Sequence, residues 1–348
     1  MPLLSLKTPA FWYRSPQSSH APPLERALRP LSSVYQRLHS FNQSLKPPYS
    51  SALPVICVGN AVAGGSGKTP TTIALHKLLS AGEQYNNPVF ITRGYKSSLQ
   101  SPVLIDPKVH SFAQAGDESL LLAAHGATIL SKNRAEGAKL AAQSPDFNAI
   151  ILDDGLQNLG LEKDFSLLVV DGLSGFGNLQ TLPAGPLREP LSQAFAKSDA
   201  VVLIGKDKNN VRALLPPEKP LFHAHVKAVS ESLPPLDTPI VAFCGLGQPQ
   251  KFYHFLHSAG YQIAEFIPFA DHHAYTQKDL DALKSVASKH CAALVTTEKD
   301  FMRLKNTDIE ALLKVIRIEI TFDNPAALLE CLTKTIAQKR QKEPNTPC

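Results

Sequence analysis

Cysteine is scarce in this sequence and follows no pattern. Among 348 residues there are only Cys57, Cys244, Cys291, Cys331 and Cys348. The number is odd, no CxxC pair occurs, and no Cys/His cluster has metal-site spacing. A disulfide framework and a structural zinc site are therefore not expected, and a reducing compartment fits. Long apolar runs are missing too: no stretch approaches the roughly 18 residues of a spanning helix. The first residues, MPLLSLKTPAFWY, lack a secretory h-region. Excess charge is small, with a net +5, which is too little to point to nucleic acid but suits an anionic membrane surface. No long internal repeat is visible. Hydrophobic residues at 43% and charged residues at 19% are those of a chain that buries a core. The expectation is a protein that remains in the cytoplasm and is able to touch a membrane.

What is present is alternation. Residues 1–22 are rich in Pro and Ser and read as irregular. Residues 23–42 read as a helix, because Leu24, Leu28, Leu31, Tyr35, Leu38 and Phe41 recur at spacings of three and four. Arg26, Arg29, Arg37 and His39 add basic groups, and Pro30 predicts a kink. Buried strands are predicted at 54–60, 88–95, 127–131, 148–155, 165–172 and 199–205, with helical segments between the earlier ones. Strands alternating with helices predict an α/β fold with a doubly wound, mostly parallel sheet of the P-loop NTPase type. Ligands then bind at the carboxyl edge of the strands. A second, smaller α/β domain repeats the alternation at 239–247, 250–260, 261–269, 277–289 and 292–300. It closes with one strand at 315–322 and a helix at 325–338. The expected division is an amphipathic, membrane-associating segment at 1–45, a nucleotide-binding kinase domain at 46–225, the smaller domain at 226–338, and a frayed polar tail at 339–348.

The central signal is GNAVAGGSGKTP, residues 59–70. Gly64, Gly65 and Gly67 let the backbone bend so that its N–H groups, with that of Ser66, converge on phosphate oxygens. Lys68 can reach the β- and γ-phosphates of ATP, and the Thr69 hydroxyl can ligate Mg2+. The following helix adds its positive dipole end. Val62 stands where the strict motif has its first glycine, yet the strand before and the helix after restore the context. The alternative is a glycine-rich turn with an incidental lysine. A dinucleotide site is disfavoured, since Lys-Thr has no role in one.

Asp153 and Asp154 follow the apolar run AIIL, where an acid would hold magnesium or its waters; the alternative is an ordinary Asp-Gly turn, and the phosphate loop upstream favours the metal role. AGDES supplies Asp117 and Glu118, equally consistent with acids at a helix start. TRGYK places Arg93 and Tyr95 at a strand end. PAGPLREP carries Arg188 and Glu189 on a Pro/Gly-rich loop. DHHAY supplies His272 and His273, for which a metal role is poor, because adjacent residues rarely point at one ion.

Together, VGN…GGSGKTP, TRGY, AGDE, DDGLQ, LPAGPLREP, the DHH turn and VTTEKD, in that order, resemble the tetraacyldisaccharide 4′-kinase family over roughly residues 10–335. The resemblance implies transfer of the ATP γ-phosphate to the 4′-hydroxyl of an acylated glucosamine disaccharide 1-phosphate in lipid A biosynthesis. It implies a peripheral enzyme on the cytoplasmic face of the bacterial inner membrane, with no nucleic-acid partner. By the same resemblance Asp117 is the base, His272 its partner and Lys68 the phosphate-loop lysine. Thr69, Asp153, Asp154 and Glu118 fall at the magnesium region. Arg93, Tyr95, Gln157, Arg188 and Glu189 fall at substrate positions.

Two other classes use the same loop. An ATPase or GTPase switch needs no base for an alcohol; its guanine signature is matched only loosely by VVLIGKDK at 201–208. A non-catalytic phosphate-binding membrane protein would not need Thr69 with Asp153 and Asp154.

Overall fold

The computed structural model describes residues 9–14, 21–42, 47–99, 102–229 and 234–342. Strands β1 (Val55–Gly59), β2 (Pro88–Thr92), β3 (Val103–Leu104), β4 (Thr128–Leu130), β5 (Ala149–Asp153), β6 (Phe165–Asp171), β7 (Ala200–Ile204) and β8 (Leu221–Ala228) come first in the chain. Strands β9 (Ile240–Cys244), β10 (Ile263–Pro268), β11 (Ala293–Thr297) and β12 (Leu313–Ile316) form a four-stranded parallel sheet in the order β10-β9-β11-β12. The last strand, β13 (Ile318–Phe322), completes the nine-stranded sheet, ordered β13-β8-β7-β6-β1-β5-β2-β4-β3.

β1, β2, β5 and β7 are buried at every residue, which is why they read as apolar runs without alternation. The pleat sends Ile56 and Val58 into one core and Val55 and Cys57 into the other. Helices α1 (Pro23–Asn42), α2 (Lys68–Ser80), α3 (Phe112–Ala115), α4 (Asp117–Ala123), α5 (Arg134–Ala142) and α6 (Leu191–Ala196) belong to this part of the chain. Leu75 and Leu79 of α2 and Leu120, Leu121 and Leu122 of α4 fill the first core; Ala138 of α5 and Phe195 of α6 fill the second. In the smaller sheet, α7 (Pro249–Ser258) covers one face through Phe252 and Leu256. α8 (Gln277–Lys289) covers the other through Leu280 and Leu283, with α9 (Glu298–Leu304) beside it.

The end of the chain departs from the sequence reading. The expected single strand at 315–322 is two strands in different sheets, divided at Arg317. Ile316 is buried in the smaller core, whereas Ile320 and Phe322 are buried in the larger one. β13 runs antiparallel to β8, pairing Ile318 with Ala228 and Phe322 with Ala224. The following helix, α10 (Pro325–Lys342), packs Leu328, Leu332 and Ile336 into the larger core. A boundary at 225/226 therefore cuts through β8, and residues 318–342 pack with the first unit. Nor is the start of the polar tail frayed. Arg340 Nε lies 2.7 Å from Asp164 Oδ1, and Lys339 Nζ lies 2.9 Å from Asp199 Oδ2. Residues 343–348 lie outside the described residues. Near the other terminus, where irregular chain was expected, Ala10–Tyr13 form a short 3-10 turn, and Trp12 Nε1 donates to the Pro183 carbonyl at 3.1 Å.

Candidate active site

Between the two sheets runs a cleft of about 1700 Å³, lined on one side by the phosphate loop and on the other by α7 and the Asp271–His272 turn. The loop follows β1. Gly67 has φ 85°, a left-handed backbone that favours glycine, and a Cβ there would also press on the end of the Ile204 side chain at 2.8 Å. α2 begins immediately after it, with its first N–H groups at the cleft. Ser66 is buried and accepts from Asn60 Nδ2 at 2.6 Å.

The two acids after β5 take different partners. Asp153 is buried at the foot of α2, accepting from Thr69 Oγ1 at 3.1 Å and Thr72 Oγ1 at 2.8 Å. Burial, then the neighbouring Glu118 and Asp154 carboxylates, push its carboxyl up to about 6. Such crowding of acids is relieved by a cation. Asp154 sits at φ 52° and faces two cations, Arg188 Nη1 at 2.8 Å and Lys68 Nζ at 3.7 Å. Burial would raise its carboxyl, but the Lys68 and Arg188 charges prevail and hold it below the usual range. Thr69 and Asp153 fit magnesium, which takes one or two protein oxygens and completes its shell with phosphate and water. Among the described residues no group of three or more His, Cys, Asp or Glu could hold a metal ion.

The cluster around Asp117 is assembled from both units. Gly116 at φ 79° brings the start of α4 against the Tyr95 carbonyl, where a Cβ would approach to 2.7 Å. This turn delivers Asp117, which is buried. His272, itself at φ 56°, lies with Nδ1 2.9 Å from Asp117 Oδ2. A carboxylate only accepts, so Nδ1 carries the proton; Nε2 then accepts from Lys299 Nζ at 3.4 Å. Arg303 of α9 grips the same carboxylate, with Nε at 2.9 Å and Nη2 at 2.8 Å. Burial alone would raise Asp117. The His272 hydrogen bond and the charges of Lys299 and Arg303 overcome it and hold the carboxyl well below its ordinary range. Lys299 also pairs with Glu118 at 3.2 Å, so Glu118 is committed to a cation and stands as a weaker magnesium candidate.

The remaining expected residues divide. Arg93 and Tyr95 are exposed and line the cleft, Tyr95 with its ring 5.0 Å from that of His272. Gln157 Oε1 accepts from Arg188 at 3.2 Å, so Gln157 steadies the arginine. Glu189, expected at a substrate position, is fully buried and accepts from Gln157 and Lys197. Its carboxylate supports the wall rather than facing the cleft. Asp207 of the guanine-like stretch caps a turn, accepting from the N–H groups of Val211 and Arg212 at 2.8 and 3.2 Å.

Arg303 and Lys299 were missed by sequence reasoning. The available signal was a cation between Met302 and Leu304, all three buried. An arginine flanked by core residues needs buried acids, and Asp117 and Asp300 supply them.

Comparison with known proteins returns one family, described as tetraacyldisaccharide-1-P 4′-kinase, matching residues 24–337. A tetraacyldisaccharide 4′-kinase of Paramagnetospirillum magneticum is 40% identical over 325 residues, covering 93% of this chain and 97% of its own. One of Bradyrhizobium sp. (strain ORS 278) is 38% identical, covering 96% and 99%. Among solved structures, LpxK from Aquifex aeolicus in complex with ATP superposes with a TM-score of 0.72. It is 26% identical, over 90% of this chain and 99% of that one.

Proposed function

The chain belongs to the tetraacyldisaccharide-1-P 4′-kinase family, and from that premise we propose how its cleft carries the reaction. It is an ATP-dependent kinase of lipid A synthesis, acting on the 4′-hydroxyl of a tetraacyldisaccharide 1-phosphate. The observation that carries the mechanism is the buried Asp117 carboxylate, held by His272 and Arg303 of the other unit, with His272 lining the same cleft as Lys68.

The phosphate-loop N–H groups, Lys68 and the start of α2 bind the ATP phosphates. Thr69 and Asp153 would hold magnesium, which when bound neutralises charge on the phosphate oxygens. Arg188, anchored on Asp154 and Gln157, faces the same charge. Asp117 accepts the proton of the 4′-hydroxyl as that oxygen bonds to the γ-phosphorus and the bond to ADP breaks. A carboxylate held this low is a weak base. The loose transition state of phosphoryl transfer asks little deprotonation of the attacking oxygen, so the carboxylate acts chiefly by orienting the hydroxyl. Arg93 and Tyr95 at the rim contact the sugar or its phosphate.

We further place the enzyme peripherally on the cytoplasmic face of the inner membrane. Among the described residues no helix is long and apolar enough to cross a bilayer. α1 turns Glu25 and Ser32 toward the body and leaves Leu24, Leu31 and Val34 more than half exposed. That outward apolar stripe supports docking at the headgroup boundary. The side chains of Arg37, Leu38, His39 and Phe41, expected to extend the helix face, lie outside the described residues. ATP consumption measured with and without detergent-dispersed tetraacyldisaccharide 1-phosphate tests the function. Consumption that depends on the acceptor supports it, and equal consumption without acceptor contradicts it.

A further inference from the structure

Lys251 is a cation of the smaller unit at the phosphate loop itself. It sits in the first turn of α7, and its Nζ lies 2.9 Å from the Gly65 carbonyl oxygen and against the Asp171 carboxylate. Gly65 belongs to the loop. Asp171 ends β6, the parallel neighbour of β1, so the contact lies on the carboxyl edge where phosphates bind. Gln248, just before α7, donates to Tyr13 Oη at 2.8 Å, which adds a second tie at the same place. His272 and Lys299, of the same unit, gather instead around Asp117 and Glu118.

An ammonium carries three donors on a flexible four-carbon stem. Two are directed here to Gly65 and Asp171, which leaves a third. Lys251 and Asp171 both line the cleft and are partly exposed, so neither is sealed away from an incoming polyphosphate. A lysine serving only as a clasp has no need to reach the carbonyl of a phosphate-binding loop. We propose that Lys251 is a phosphate-contacting residue of the ATP site, contributed by the smaller unit and directed at the terminal phosphate. The inference rests on nucleotide binding at the phosphate loop. In this arrangement the smaller unit supplies both reacting ends: His272 and Arg303 position the base, and Lys251 meets the phosphate being transferred. Asp171 holds the ammonium in place until the phosphate shares it.

Equilibrium binding of ADP and of a non-hydrolysable ATP analogue, with magnesium, separates this role from a clasp. The wild-type chain is expected to prefer the ATP analogue. Lys251→Met should lower that preference by about 10- to 100-fold, the range for one charged hydrogen bond, with ADP affinity little changed. Lys251→Arg should restore most of the preference, and Asp171→Asn, which keeps the cation, should retain it. Equal weakening of both nucleotides by Lys251→Met, or no change in either, overturns the assignment. So does an equal fall in melting temperature in Lys251→Met and Asp171→Asn with the preference intact, which marks a clasp only. A wild-type chain that binds neither nucleotide fails the kinase reading first, and the Lys251 assignment with it.

Discussion

The loop glycines between β1 and α2 and the Lys68 and Thr69 that open α2 form one uninterrupted stretch, whereas Asp117, His272, Lys299 and Arg303 come from three separate segments and both units. The phosphate loop is a local structure. Its geometry follows from glycine torsions and a helix start, and it forms wherever β1 and α2 form. The base cluster is a tertiary structure. Asp117 is buried at a helix start and depends on the His272 hydrogen bond and the α9 cations for its charge. The nucleotide end of the cleft can therefore be altered without unfolding, while the acceptor end couples chemistry to the packing of one unit on the other.

Lys68→Ala gives the largest expected effect on activity. In the proposed mechanism it removes the loop cation that meets the transferring phosphoryl group, a loss on the order of 10²–10³ or more in kcat. Unfolding by urea should change little beside this, since Arg188 still pairs with Asp154 at 2.8 Å when Lys68 is gone. Near-normal turnover in a folded variant breaks the local half of the comparison.

Arg303→Met should behave oppositely. It leaves Asp117 and Asp300 as buried acids without their guanidinium, at a cost of about 3–5 kcal/mol in stability. The pH dependence follows. The folded Asp117 carboxyl lies below its ordinary value, so its contribution is complete above the unfolded pKa of about 4 and is lost as pH falls through the folded value. Wild-type stability should fall toward acid below that point, and the variant's curve should be flatter there. Urea titrations across pH 3–7 read both quantities. A stability loss under about 1 kcal/mol removes the tertiary half.

The smallest effect belongs to α1, outside both halves. Leu31→Glu with Val34→Glu replaces exposed apolar groups and should leave melting and activity on detergent-dispersed acceptor unchanged. Co-sedimentation with anionic vesicles should weaken several-fold. Unchanged sedimentation would show that the stripe does not dock the enzyme.

The same contrast explains what the sequence disclosed. The parallel sheet was legible because β1, β2, β5 and β7 are buried on both faces and read as apolar runs. The loop was legible because GGSGKT dictates its own shape. Asp117 and His272 were indistinct as individual residues, one resembling a helix cap and the other a surface turn. Only the ordered set of family motifs singled them out. Arg303 stayed hidden because its partners lie 186 residues away at Asp117 and beside it at Asp300. The split at Arg317 was invisible because VIRIEITF keeps its apolar character while the chain passes from one core to the other. The burial of Glu189 was unreadable for a similar reason, since loop acids are usually exposed.

The central claim is that Asp117 and His272, from different units, act as one catalytic group. A double-mutant cycle tests it most directly, with kcat measured at saturating ATP and acceptor for Asp117→Ala, His272→Ala and the double variant. Each single substitution should lower kcat by about 10²–10⁴. The double variant should be little worse than the worse single variant, because removing either member already disables the pair. Losses that multiply in full would show two independent residues and contradict the account.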